Sequence, residues 1–131
     1  MKKDLNPKTR SNLGEVDDLT DCLFCKIVKK ELPSEIVYED DDMLAFRDIK
    51  PQAPVHVLII PKRHIETLAD LTEDDEDIIG HAMFVASRVA RDLGIGEGFR
   101  VVANCGKEAG QSVFHIHMHL LGGRSLGWPP G

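Results

Sequence analysis

The stretch Val113-Phe114-His115-Ile116-His117-Met118-His119-Leu120-Leu121 alternates between two kinds of side chain along its whole length. An alternation of period two is typical of a β-strand with one buried face. A strand advances about 3.3 Å per residue, so neighbouring imidazoles on the histidine face would lie about 6.6 Å apart. The histidine face carries His115, His117 and His119, three of the chain's six histidines. The opposite face is assigned to the core and carries Phe114, Ile116, Met118 and Leu120.

The histidine face is the candidate catalytic surface, because imidazole can act as nucleophile, acid, base or metal ligand near neutral pH. His117 is the predicted nucleophile, since it has an imidazole on each side to orient it. Its attack on phosphorus would form a covalent phosphoryl- or nucleotidyl-histidine, which water then hydrolyses. The preceding loop, Ala109-Gly110-Gln111-Ser112, has a glycine and a hydroxyl where successive N–H groups could hold a phosphate.

Two alternatives stay open at this stage. The three histidines of the face could instead bind a catalytic metal ion that activates water. His56, in the apolar run 55–60, is either a core histidine or a further member of the same face. Removal of metal by a chelator would distinguish the covalent mechanism from the metal mechanism, because only the metal enzyme would lose its activity.

Cys22 and Cys25 form a C-x₂-C pair, a spacing that lets two thiolates bind one ion. The two further ligands of a tetrahedral site would have to be remote histidines, and His64 and His115 are the candidates. A thioredoxin-type redox pair would need a βαβ context that the sequence lacks. A third reading is a pair of buried thiols without any ligand.

Composition limits the class of protein. The 131 residues, 42% of them hydrophobic, predict a soluble protein with one domain at 18–131, preceded by a flexible polar tail at 1–17. The net charge of −6 argues against a general nucleic-acid binder. No apolar run approaches the roughly 20 residues that span a bilayer, so no membrane partner is expected. Three cysteines and no secretion signal favour a reducing compartment, the cytoplasm or, in a eukaryote, also the nucleus.

The pattern predicts an α+β fold with a mainly antiparallel sheet. A short helix would cover 21–28, and Thr72-Glu73-Asp74-Asp75 would start a long amphipathic helix that ends near Gly94. Strands are expected at 36–38, 43–46, 55–60, 99–104 and 113–121. His81, within the long helix, is interpreted as a solvated or partly packed residue.

The motif His115-Ile116-His117-Met118-His119-Leu120-Leu121 resembles the His-φ-His-φ-His-φ-φ signature of the histidine triad (HIT) superfamily, φ being apolar. The resemblance extends from Cys22 to Gly131. Gly110-Gln111-Ser112 and the tail Trp128-Pro129-Pro130-Gly131 are similar to the histidine triad nucleotide-binding (Hint) branch. Arg47 departs from the pattern, since several relatives carry a histidine there.

The resemblance implies a five-stranded sheet with one long and one short helix, and a homodimer whose joined sheets have ten strands. It implies hydrolysis of purine nucleoside phosphoramidates, such as adenosine 5′-monophosphoramidate, and of aminoacyl adenylates. His117 would be the nucleophile at the α-phosphorus, with His119, His56 and Ser112 as further catalytic residues. Substrate would contact Phe24, Ile27, Phe46, Asp48, Ile49, Asn104, Gly110, Gln111 and Trp128.

The resemblance also implies no cofactor for catalysis but a structural zinc ion in members that keep the cysteines. Its ligands here would be Cys22, Cys25, His64 and His115. Members without the cysteines fold without metal. Two alternative functions remain: a dinucleoside polyphosphate hydrolase within the same superfamily, and a nucleotide-binding regulatory protein that acts through its N-terminal arm.

Overall fold

The structure, a computed structural model, describes residues 21–131. The predicted tail at 1–17 lies outside these residues. The chain divides into two compact units, of which the first ends at Pro33 and the second spans Ser34–Gly131. Within the described part, none of the helices combines the length and apolar content that crossing a bilayer would need.

The described part of the first unit contains the helix α1, Leu23–Val28. Cys22 is its N-cap, and its Sγ accepts a hydrogen bond from the N–H of Cys25 at 3.4 Å. Three of its side chains are buried, namely Phe24, Cys25 and Ile27. The predicted short helix is therefore present, and the thiol of Cys22 caps its N-terminus.

The second unit contains one antiparallel sheet of five strands in the order β1-β2-β3-β5-β4. The strands are β1 Ile36–Glu39, β2 Met43–Arg47, β3 Val55–Pro61, β4 Phe99–Val102 and β5 Met118–Gly122. The central strand β3 is buried from His56 to its end. The predicted α+β class and mainly antiparallel sheet are confirmed.

The long helix α2, Glu76–Asp92, packs its apolar side against this sheet. A capping box of Thr72 and Asp75 precedes it, and Gly94 follows with φ +81°, the left-handed conformation expected after a helix end. The shared core contains from α2 Ala82, Val85, Ala86, Val89 and Ala90, and from the strands Met43, Ala45, Val57, Ile59, Met118 and Leu120.

The histidine strand is shorter than predicted, because β5 begins at Met118 instead of Val113. Its pairing with β3 ends where Ile59 opposes Met118. Further along β3, Pro61 has no N–H to donate, and its carbonyl oxygen accepts from Nε2 of His115 at 2.8 Å. The N–H of Ile116 donates to the carbonyl of Ile65. Residues 113–117 therefore leave the sheet, and Phe114, expected in the core, is 44% exposed.

Candidate active site

Strands β3 and β5 bring two distant histidines together. In their antiparallel pairing, His56 opposes Leu121 and Leu58 opposes His119, so the two histidines lie diagonally across neighbouring strands. Nε2 of His56 is 3.0 Å from Nδ1 of His119. Of the two readings that the sequence left open for His56, the structure supports membership of the histidine face.

His117 is buried immediately before β5. Its Nδ1 lies 2.7 Å from the carbonyl oxygen of His115, which can only accept a hydrogen bond. Nδ1 therefore carries the proton in the neutral ring, and the lone pair is on Nε2. The ring centroids of His117 and His119 are 5.0 Å apart, so an imidazole able to act as a nucleophile lies beside a second imidazole.

Burial lowers the pKa of three imidazoles here. It is the largest cause for His56, where the Asp48 carboxylate acts in the opposite direction. Burial also lowers the pKa of His117, partly offset by its hydrogen bond to the His115 carbonyl. The pKa of His119 falls to about 4, through burial and then repulsion from His117 and His56. The neutral form of each of the three rings is therefore favoured at pH 7.

His115 faces a different partner. It is fully buried, and its Nε2 donates to the Pro61 carbonyl, which leaves the lone pair on Nδ1. That nitrogen lies 3.2 Å from Nδ1 of His64. A backbone carbonyl that holds the other ring nitrogen is the usual way of orienting a metal-binding imidazole. The His64–His115 pair therefore has the donor chemistry of two ligands to one ion.

In the first unit, Cys22 and Cys25 are both buried. The contact of the Cys25 thiol with the Cys22 side chain, together with burial, raises the pKa of the Cys25 thiol above its ordinary value. A buried pair at C-x₂-C spacing has the donor set for two thiolate ligands of a zinc ion. Cys105, by contrast, is exposed.

The loop before the histidines is held by a buried glutamine. Oε1 of Gln111 accepts from the N–H of Gly106 at 2.8 Å, and its Nε2 donates to the carbonyls of Glu66 and Val113 at 2.7 and 3.1 Å. Each amide atom is thus bonded to backbone. The side chain fixes the shape of the loop that presents the exposed Ser112.

The other predicted substrate residues are differently placed. Asp48 is half-buried; its Oδ1 accepts from the N–H of Lys50 at 2.7 Å, and its Oδ2 is 3.5 Å from Nε2 of His56. Ile49 and Trp128 are 92% and 83% exposed, so two large apolar side chains remain accessible to a ligand. Phe46 is buried, Asn104 is half-buried and Gly110 is exposed, while Phe24 and Ile27 are buried in the first unit.

Sequence reasoning missed the backbone partners of the histidines. The N–H of Gln52 donates to Nδ1 of His56 at 3.0 Å, and the Pro61 carbonyl accepts from His115. For the contact between Gln52 and His56, the signal in the sequence was the loop at 51–54, which two prolines make stiff. His81, interpreted as solvated or partly packed, has Nε2 2.6 Å from Oδ2 of Asp40.

Comparison with known proteins identifies relatives across most of the chain. The model of the HIT domain family matches residues 29–126. An uncharacterised HIT-like protein of Synechocystis is 55% identical over 111 residues, covering 85% of this chain and 97% of that protein. The crystal structure of a HIT family hydrolase from Legionella pneumophila is 51% identical, with a TM-score of 0.84 over 85% of this chain and all of that one.

A histidine triad nucleotide-binding protein from Candida albicans is more distant. It is 35% identical, with a TM-score of 0.72 over 83% of each chain. The similarity thus extends from bacterial to fungal proteins of this fold.

Proposed function

The chain is a member of the HIT domain family, and on that premise we propose that it is a nucleotidyl hydrolase that cleaves purine nucleoside phosphoramidates through a covalent nucleotidyl-His117 intermediate. Its substrates would be adenosine 5′-monophosphoramidates and aminoacyl adenylates. The observation that carries the proposal is the hydrogen bond from His117 Nδ1 to the His115 carbonyl, which leaves a lone pair on Nε2. The Legionella relative, a HIT family hydrolase, supports hydrolysis as the reaction class.

The proposed hydrolysis has two steps. Nε2 of His117 forms a bond to the α-phosphorus while the bond to the leaving group breaks. In a phosphoramidate this is the phosphorus–nitrogen bond to an amine, and in an aminoacyl adenylate it is the phosphorus–oxygen bond to a carboxylate. The departing amine takes a proton, for which the hydroxyl of Ser112 is the candidate donor, while the neutral His119 would hydrogen-bond to a phosphoryl oxygen. Water then attacks the phosphorus and the phosphorus–Nε2 bond breaks, which releases the nucleoside monophosphate and restores the His117 imidazole. A proton from the water returns to Ser112.

Substitution of His117 tests this mechanism. His117→Ala should lower turnover of adenosine 5′-monophosphoramidate by about four orders of magnitude or more, as expected when a covalent nucleophile is removed. Calorimetry should show that the His117→Ala variant still binds adenosine monophosphate. His81→Ala is the matched control, because it removes a histidine that pairs with Asp40 outside the histidine face.

Near-normal turnover by His117→Ala would refute the covalent mechanism. Parallel rates for adenosine phosphoramidate and a diadenosine polyphosphate, measured with the unmodified protein, would test the substrate class. The phosphoramidate should be hydrolysed faster by at least tenfold. Chelation should leave this rate unchanged, since no metal takes part in the proposed steps.

The structural zinc ion remains a prediction that concerns two pairs of side chains. The His64–His115 pair and the Cys22–Cys25 pair each offer two donor atoms within their own unit. Elemental analysis should find one zinc per chain in the purified protein and a clear reduction in His64→Ala. His81→Ala again serves as control.

The homodimer is likewise proposed. Met83 and Phe84 on α2 are 47% and 54% exposed, and β4 is an edge strand of the sheet. Apolar helix residues and an open strand edge are features that a second copy could cover. Sedimentation should give twice the monomer mass, and a monomer at micromolar concentration would contradict this prediction.

A further inference from the structure

A chain of contacts links the loop after β2 to the histidine face. The backbone N–H of Gln52 donates to Nδ1 of His56 at 3.0 Å. A backbone amide can only donate, so Nδ1 of His56 must be an unprotonated acceptor. A neutral His56 therefore carries its one proton on Nε2.

The proton on Nε2 of His56 in turn determines the tautomer of His119. Nε2 of His56 is 3.0 Å from Nδ1 of His119, and its proton can be shared in only one direction. Nδ1 of His119 must then accept, which puts the proton of His119 on Nε2. Oδ2 of Asp48, 3.5 Å from Nε2 of His56, is a second acceptor that favours a proton there.

Residues that follow β5 also contact the loop that carries Gln52. The Gln52 carbonyl oxygen accepts from Nε of Arg124 at 3.1 Å. Gly123, with φ +92°, lies so close to Pro54 that an added Cβ would be 2.9 Å from the Cβ of Pro54. These two contacts hold the loop that carries Gln52 against the residues that follow β5.

We propose that Gln52, through its backbone N–H, and Arg124, which holds the Gln52 carbonyl, are positioning residues that fix the tautomers of His56 and His119. His119 then carries an N–H on Nε2, and its ring centroid lies 5.0 Å from that of His117, whose lone pair is on Nε2. A nucleophile beside a hydrogen-bond donor suits a ligand with phosphoryl oxygens around an electrophilic phosphorus. This inference deepens the proposed function and rests on it for the role of His117.

Nuclear magnetic resonance of ¹⁵N-histidine-labelled protein at neutral pH tests the tautomers directly. We expect His56 and His119 to be protonated on Nε2 and unprotonated on Nδ1, and His117 to show the reverse. A dominant Nδ1–H form of either His56 or His119 would overturn the proposal. The measurement needs no substrate, so correct tautomers in a protein that does not hydrolyse phosphoramidates would count against the proposed function alone.

Two variants at one position isolate the N–H. Gln52→Pro removes it, whereas Gln52→Ala keeps it and should keep the tautomers of the unmodified protein. In Gln52→Pro we expect the Nδ1–H form of His56 to appear, with kcat reduced about tenfold and KM within twofold. The acid limb of the pH–rate profile of this variant should also move. The Gln52 N–H, which donates to Nδ1 of His56, opposes protonation of His56 and His119, and the variant lacks it.

Unchanged tautomers and an unchanged pH profile in Gln52→Pro would refute the positioning role. If that variant does not fold, the tautomers of the unmodified protein decide the question alone. Arg124→Met, which removes the bond to the Gln52 carbonyl, should give a mixture of His56 tautomers. A single unaltered tautomer in Arg124→Met would exclude Arg124 from the mechanism while leaving the test of Gln52 intact.

Discussion

Replacing Gln111 by leucine tests whether one buried amide holds the loop before the histidines. Gln111→Leu has nearly the same volume but loses three hydrogen bonds, of 2.8, 2.7 and 3.1 Å, to backbone groups of Gly106, Glu66 and Val113 respectively. Each such bond contributes about 1 kcal/mol net. Water can reach the exposed or half-buried partners, so we expect a loss of about 2–3 kcal/mol in the free energy of unfolding.

Urea unfolding measures this loss, and thermal unfolding should show a decrease in Tm of about 8 °C for a domain of this size. A loosened loop displaces Ser112, so kcat/KM for the phosphoramidate should fall about 10- to 100-fold. Lys107→Leu is the control, since it puts the same side chain at an exposed position in the same loop. Equal stability of the two variants would refute the claim that Gln111 holds the loop.

Three further predictions concern other parts of the molecule. Burial holds the pKa of His119 near 4, below its ordinary 6.5, so the unfolded chain binds the extra proton more readily. Stability should therefore fall as pH decreases from about 6.5 to 4, and fall less steeply in His119→Gln, as measured by urea unfolding at each pH. Asp40→Asn should cost about 1–3 kcal/mol, because the carboxylate accepts hydrogen bonds from a tyrosine, a histidine and two backbone N–H groups; Asp41→Asn, exposed next to it, should stay within about 0.5 kcal/mol in the same assay. Gly123→Ala should lower stability by about 1–3 kcal/mol through its positive φ and the approach to a proline ring, whereas Gly127→Ala, which has open space around the added Cβ, should be nearly neutral in thermal unfolding.

The strands and the long helix could be predicted because their patterns are long and local. The apolar run at 55–60 became the central strand β3, and the period of α2 placed Val85 and Val89 in the core. The helix ends could be predicted to within a few residues. The capping box of Thr72 starts a 3₁₀ turn at Glu73–Asp75 that leads into α2, and Gly94 follows the end of α2. Each of these features can be predicted from residues that are close together in the sequence.

The end of the histidine strand could not be predicted in the same way. The alternation at 113–121 continues through His115 and His117, yet the strand starts at Met118. Its limit is set by Pro61, a residue more than fifty positions earlier that cannot supply an N–H. Only the pairing of β3 with β5 makes that effect visible, so periodicity overestimated the strand by five residues at its start.

The same limit explains why three similar imidazoles can have different roles. In a regular strand His115, His117 and His119 would be near equivalents on one face. Instead, His115 donates from Nε2 to the Pro61 carbonyl, and His117 donates from Nδ1 to the His115 carbonyl. His119, already inside β5, meets the side chain of His56. Each ring is therefore fixed by a different partner, and backbone groups that no motif records determine which nitrogen carries its lone pair.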